Sequence, residues 1–147
     1  MQINQDYNTA SYAIRAYREG EIIVIQPLGD SPSEQDRSVE SLHPKSQFTT
    51  ASIKQSVVIL PDRIDTQLLP ETAGELELSH FEQLRELGVE LVILGTGKKL
   101  SFPHPSIMAS MLSKRVGLEV MDTAGACRTY NFLVSDGRKV AAALFMI

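Results

Sequence analysis

The chain has 147 residues, of which 43% are hydrophobic, enough for one domain that buries roughly 70% of its unfolded surface without a disulfide or a structural metal. Its single cysteine, Cys127, excludes an intrachain disulfide and any multi-cysteine zinc site. The net charge of −4, with no recognisable nucleic-acid module, argues against a nucleic-acid binder, and no apolar run reaches the roughly 20 residues that span a bilayer.

The start, Met1 to Asp6, lacks a basic flank and an apolar stretch and carries an early acid, unlike a targeting peptide, so the expectation is a cytoplasmic protein. Ala10 to Tyr17 and Glu21 to Gln26 flank an Arg18-Glu19-Gly20 turn and predict an opening β-hairpin. Leu28 to Pro44 holds glycine, two prolines, serines and acids without a period, and reads as a loop. Strands follow at Phe48 to Ile53 and Ser56 to Leu60, the second a β-branched run ended by Pro61. Residues 61–77 read as a connector. Ser79-His80-Phe81-Glu82 fits a capping box at a helix start, and Gly88 closes that helix.

From there strand and helix alternate: strand Val89 to Leu94, helix Pro105 to Val116, strand Leu118 to Met121, helix Ala124 to Ser135, strand Lys139 to Phe145. Short apolar strands joined by helices predict an α/β fold with a parallel sheet covered on both faces. Ligands of such sheets sit beyond the carboxyl ends of the strands, where Gly95 and Asp122 fall. The charge is uneven along the chain. Residues 1–95 hold 7 basic and 15 acidic residues, and residues 96–147 hold 7 basic and 3 acidic. The C-terminal cations either favour an anionic ligand or form an ordinary solvated surface.

Gly95-Thr96-Gly97 turns tightly after a strand, with Lys98 and Lys99 behind it. That turn could present amides to a small anion, or serve packing alone. It is neither a dinucleotide fingerprint, because Leu100 stands where a third glycine belongs, nor a Walker loop. Asp122 lies between a strand and a helix, where a carboxylate either caps backbone amides or accepts hydrogen bonds from a ligand. Cys127 near the second turn of that helix is either a buried thiol or a nucleophile, with His104 as the best-placed base. Asn131 shares the helix face of Cys127 four residues on, whereas Arg128 points about 100° away. Arg128 can hold a carboxylate or phosphate in two parallel bonds, or tie loops together through Asp122 or loop carbonyls.

Met121-Asp122-Thr123, Ala126-Cys127-Arg128-Thr129-Tyr130-Asn131 and Gly137-Arg138-Lys139-Val140-Ala141-Ala142-Ala143-Leu144, with Gly95-Thr96-Gly97 before them, closely resemble one widespread small family. It is that of the mitochondrial NADH dehydrogenase complex I assembly factor 3 and the adipogenesis-associated domain-containing protein, with many bacterial and archaeal members. The likeness is strong over residues 89–145 and extends to Ser56 to Arg63; Gly125 stands where the family pattern has alanine. The resemblance implies a single three-layer α/β domain over residues 1–147, built on a mixed, largely parallel central sheet, with a cleft beside the Asp122 and Arg128 segment. It implies a binding or assembly-type role through protein partners, and no established reaction. The alternative is a small-molecule or anion binder, or an enzyme, using a pocket at the Gly95 turn and Asp122/Arg128. A third possibility is a redox-responsive thiol at Cys127. The candidate ligand or partner residues are therefore Gly95, Thr96, Gly97, Asp122, Cys127, Arg128 and Asn131, with no metal or cofactor implied.

Overall fold

The computed structural model describes residues 10–27 and 49–147. The loop expected over Leu28 to Pro44, the strand start at Phe48 and His43 lie outside the described residues. An antiparallel sheet comes first: β1 (Ala13–Arg18), β2 (Glu21–Gln26) and β3 (Thr49–Ile53), in the order β1-β2-β3. The opening hairpin is as expected, and the described part of the next expected strand, Thr49–Ile53, is the third strand of that sheet, paired from Gln26 with Thr49 to Ile22 with Ile53.

The central sheet has five strands, β4 (Val57–Ile59), β5 (Ile64–Asp65), β6 (Leu91–Gly95), β7 (Gly117–Met121) and β8 (Val140–Leu144), in the order β5-β4-β8-β6-β7. β6 runs parallel to both β7 and β8, whereas β4 runs antiparallel to β5 and β8. The sheet is therefore mixed, and its parallel part lies where strand and helix alternate in the sequence.

Two cores follow from the two-residue period of the central strands. Val57, Ile59, Ile93, Val140, Ala142 and Leu144 face one way, against Ile14, Ile22 and Val24 of the first sheet and Ala126, Cys127 and Tyr130 of a long helix. Val58, Val92, Leu94, Ala141, Ala143 and Phe145 face the other way, against Phe81, Leu84 and Met111 of two shorter helices. Both faces are covered, which is why these strands read as unbroken apolar runs.

The shorter helices are α1 (Leu78–Arg85) and α2 (Pro105–Ser113), and the long one is α3 (Thr123–Ser135). α1 starts earlier than the Ser79 pattern suggests: Glu77 is its N-cap, and the Glu77 amide donates to His80 Nδ1 at 2.9 Å. The imidazole takes the part that a third-position glutamate would play, so Ser79 falls inside the helix. α2 stops short of Val116 because Arg115 adopts φ 60°, a left-handed conformation that ends a helix without a glycine to announce it.

Candidate functional site

The carboxyl ends of β6 and β8 and the start of α3 meet in one hydrogen-bonded node. The buried Thr123 is its centre. Its hydroxyl accepts from the Gly97 amide at 2.8 Å and donates to the Phe145 carbonyl at 2.7 Å, while its own amide donates to the Gly97 carbonyl at 2.9 Å. Phe145 N donates to Gly95 O at 2.9 Å, and Thr96 N to Met121 O at 3.0 Å. Gly95 has no room for a side chain: a Cβ there would lie 2.9 Å from Leu144 Cδ2 and 3.0 Å from Ala126 Cβ and Thr123 Cα. Gly97 takes φ 102°, a conformation that favours glycine, with Met146 O 3.2 Å from where a Cβ would be. The side chain of Thr96 holds the following loop, donating to Lys99 O at 2.6 Å and accepting from Ser101 N at 3.1 Å.

Asp122 is the N-cap of α3, its Oδ1 accepting from the Gly125 amide at 2.7 Å. A Cβ at Gly125 would sit 3.0 Å from that oxygen, so the glycine leaves the cap uncrowded. Cys127 is fully buried, and burial pushes its thiol up to about 12, a larger effect than the opposing pull of Arg128. His104 is engaged at the other helix: it caps α2, and its Nδ1 lies 2.8 Å from Ser106 Oγ.

Three other polar side chains of α3 reach β1 or the residue before it. Asn131 accepts from Ile14 N at 2.8 Å and donates to Ile14 O at 2.6 Å, both bonds buried. Tyr130 donates to Tyr12 O at 2.9 Å, and Arg128 Nη1 donates to Tyr17 Oη at 2.8 Å. Gly95, Thr96, Gly97 and Asp122 therefore gather at the node. Cys127 lies in the core, and Asn131 and Arg128 serve the contact with β1. Among the described residues the side-chain bond of Arg128 goes to Tyr17 of β1 and not to Asp122 or a loop carbonyl.

A cleft of about 720 Å³ opens beside the node. Thr96, Gly97 and Lys98 form one wall and Lys54, Gln55 and Ser56 another. Asp122, Cys127, Arg128 and Asn131 do not line it. Sequence reasoning did not single out Lys54 or Tyr17 and offered Thr123 only as a possible cap beside Asp122, and no local pattern could have found their partners. Their roles come from contacts between residues such as Thr123 and Phe145 that are 22 apart, or Arg128 and Tyr17 that are 111 apart. Among the described residues no group of three or more histidines, cysteines and acids is placed to hold a metal.

This geometry defines a class: a small three-layer α/β protein in which one polar helix joins a separate antiparallel sheet to a mixed one. The chain belongs to the family described as protein of unknown function (DUF498/DUF598), whose model matches residues 42–145. Mouse NADH dehydrogenase [ubiquinone] 1 alpha subcomplex assembly factor 3 is 28% identical over 118 residues, which cover 72% of this chain and 64% of that protein. The chain thus spans less than two thirds of the length of that relative. A protein of Xanthomonas campestris solved by NMR is 30% identical with a TM-score of 0.68, over 99% of this chain and 92% of that one. A Mth938-like domain from Bordetella pertussis shares the fold, with a TM-score of 0.67 at 23% identity over 99% and 92% of the two chains.

Proposed function

We propose that this protein is a non-enzymatic binding protein of the assembly type, acting in the cytoplasm by holding a protein partner, and that its work is linked to building a respiratory complex. The observation that carries this reading is that the acid, thiol and amide of α3 are all engaged inside the molecule. Asp122 caps a helix, Cys127 is buried and Asn131 pairs with Ile14. A nucleophile needs an accessible, activated group beside a base, and the Cys127 thiol keeps its proton up to about 12. The name of the mouse relative, an assembly factor, supports the same reading.

Contact with a partner requires apolar surface in reach of solvent. Leu100 and Phe102 supply it, 52% and 63% exposed on the segment between the Gly97 turn and α2. Thr96 fixes the base of that segment through Lys99 and Ser101, so the two side chains are presented on a held backbone. The Gly95 to Gly97 turn, Asp122 and Arg128 border the contact in this reading, with Cys127 and Asn131 acting beneath it.

The test is native mass spectrometry on tagged protein purified gently from its own host. The expected result is a stoichiometric protein partner that the Leu100→Asp/Phe102→Asp variant loses while its melting temperature stays the same. If the protein emerges without any partner, or the variant keeps the partner undiminished, the reading fails. Arg128→Ala reads a second contact, and full retention of the partner would remove that residue from the interface.

A further inference from the structure

We propose that the cleft between the two sheets is a binding site for a small organic carboxylate with an apolar tail. The inference stands independently of the assembly reading, because Leu100 and Phe102 do not line this cleft. Position is the first argument. The cleft is bounded by Gly97, just past the end of β6, and by Phe145 and Met146, just past the end of β8. These strands are parallel neighbours, and the space beyond the carboxyl ends of parallel strands is where open α/β sheets hold ligands. Its volume of about 720 Å³ lies within the range of roughly 300–1,000 Å³ usual for small-molecule sites.

Charge and lining give the class of ligand. Lys98 follows the Gly97 turn and Lys54 the end of β3, so two lysines line one cleft from different sheets, with the Lys54 charge also acting on Glu21. Among the described residues neither lysine is in an ion pair. Among the described lining residues Glu71 is the one acidic side chain. Ala73, Met146 and Ile147 are the partly exposed apolar residues of the lining, a surface that a purely ionic ligand such as phosphate would leave without a match. The glycine turn is also unsuited to cradling phosphate with its backbone, since the Thr96 and Gly97 amides already donate to Met121 O and Thr123 Oγ1. An anion held here would rest on lysine side chains, which are compact charges on flexible stems, while its chain lies on Met146 and Ile147.

The experiment is titration of the isotopically labelled full chain with hexanoate, hexylamine and inorganic phosphate, followed by amide NMR shifts. Hexanoate should give saturable shifts centred on Gln55, Gly97, Lys98 and Phe145, while hexylamine and phosphate should not. The Lys54→Gln/Lys98→Gln variant should bind hexanoate at least ~10-fold more weakly, the loss expected for about 1.4 kcal/mol of interaction. Its unperturbed spectrum elsewhere would show that it folds. Absence of saturable shifts with hexanoate overturns the proposal, as does unchanged affinity in the double variant. Tighter binding of phosphate than of hexanoate would overturn the apolar part of the assignment.

Discussion

A buried thiol and an exposed guanidinium sit side by side at Cys127 and Arg128, and their fates differ because a helix turns about 100° per residue. Cys127 lies in the same buried core as Ile93, Ala142 and Leu144, where removing water disfavours the thiolate. The folded thiol releases its proton only at about 12, against 9.0 for the ordinary group. Between those values the folded state binds more protons than the unfolded one, so this contribution to stability is complete below about pH 9 and is lost as pH rises toward 12. Tyr130, raised by the same burial, adds a loss in the same direction. Urea denaturation midpoints measured at neutral pH and again above pH 10 should therefore fall in the native chain and fall less in Cys127→Ala. Equal slopes would mean that the thiol is not held in this environment. The buried alternative for Cys127 was readable from its residue type alone. The bond from Arg128 to Tyr17 was not, because nothing near residue 128 in the sequence names a partner in the first strand.

Elements meet at the node around Thr123, and the closeness of their packing can be measured through Gly95. The bond pattern leaves the backbone of β6 against the start of α3, so an added methyl group meets Ala126 Cβ and Thr123 Cα at 3.0 Å. Those atoms belong to the helix and cannot swing aside as a side-chain end can. Gly95→Ala should thus cost about 1–3 kcal/mol, as overpacking of a closed core does, and lower the melting temperature by roughly 2–4 °C per kcal/mol in a chain of this size. Gly74→Ala is the control, since nothing lies within 4 Å of its added carbon, and it should melt with the native chain in a calorimetric scan. The glycine turn, Asp122 as a cap and the alternation of β6, α2, β7, α3 and β8 were legible because hydrophobic period and turn chemistry are local signals. The C-terminal end of α2 and the start of α1 were not, since Arg115 turns left-handed without a glycine and His80 stands in for an acid.

The whole molecule raises the question of why a three-stranded antiparallel sheet stays with a central sheet to which it is not hydrogen-bonded as a neighbouring strand. Shared apolar burial supplies most of the answer, with Ile14, Ile22 and Val24 in the same core as Ile93 and Ala142. Burial alone sets no register, however, and here Asn131 supplies one. A carboxamide has one donor side and one acceptor side, as a peptide group does, so it can pair with the outer edge of β1 as a strand would. Both backbone groups of Ile14 are satisfied this way, and Tyr130 holds Tyr12 beside them. The sequence places Asn131 on the inward face of α3, but the choice between ligand and backbone as its partner depends on a contact 117 residues away. Asn131→Ala would strand a buried donor and a buried acceptor on β1, at about 1–3 kcal/mol each. If residues 1–147 form one cooperative domain, the cost should appear as global destabilisation, with near- and far-ultraviolet circular dichroism melting together. In hydrogen exchange, amides of β1 and β2 should then lose protection in step with those of β6 and β8. Loss confined to β1, β2 and β3, with β6 and β8 still at native protection, would instead make the first sheet a separate unit of folding held on by α3.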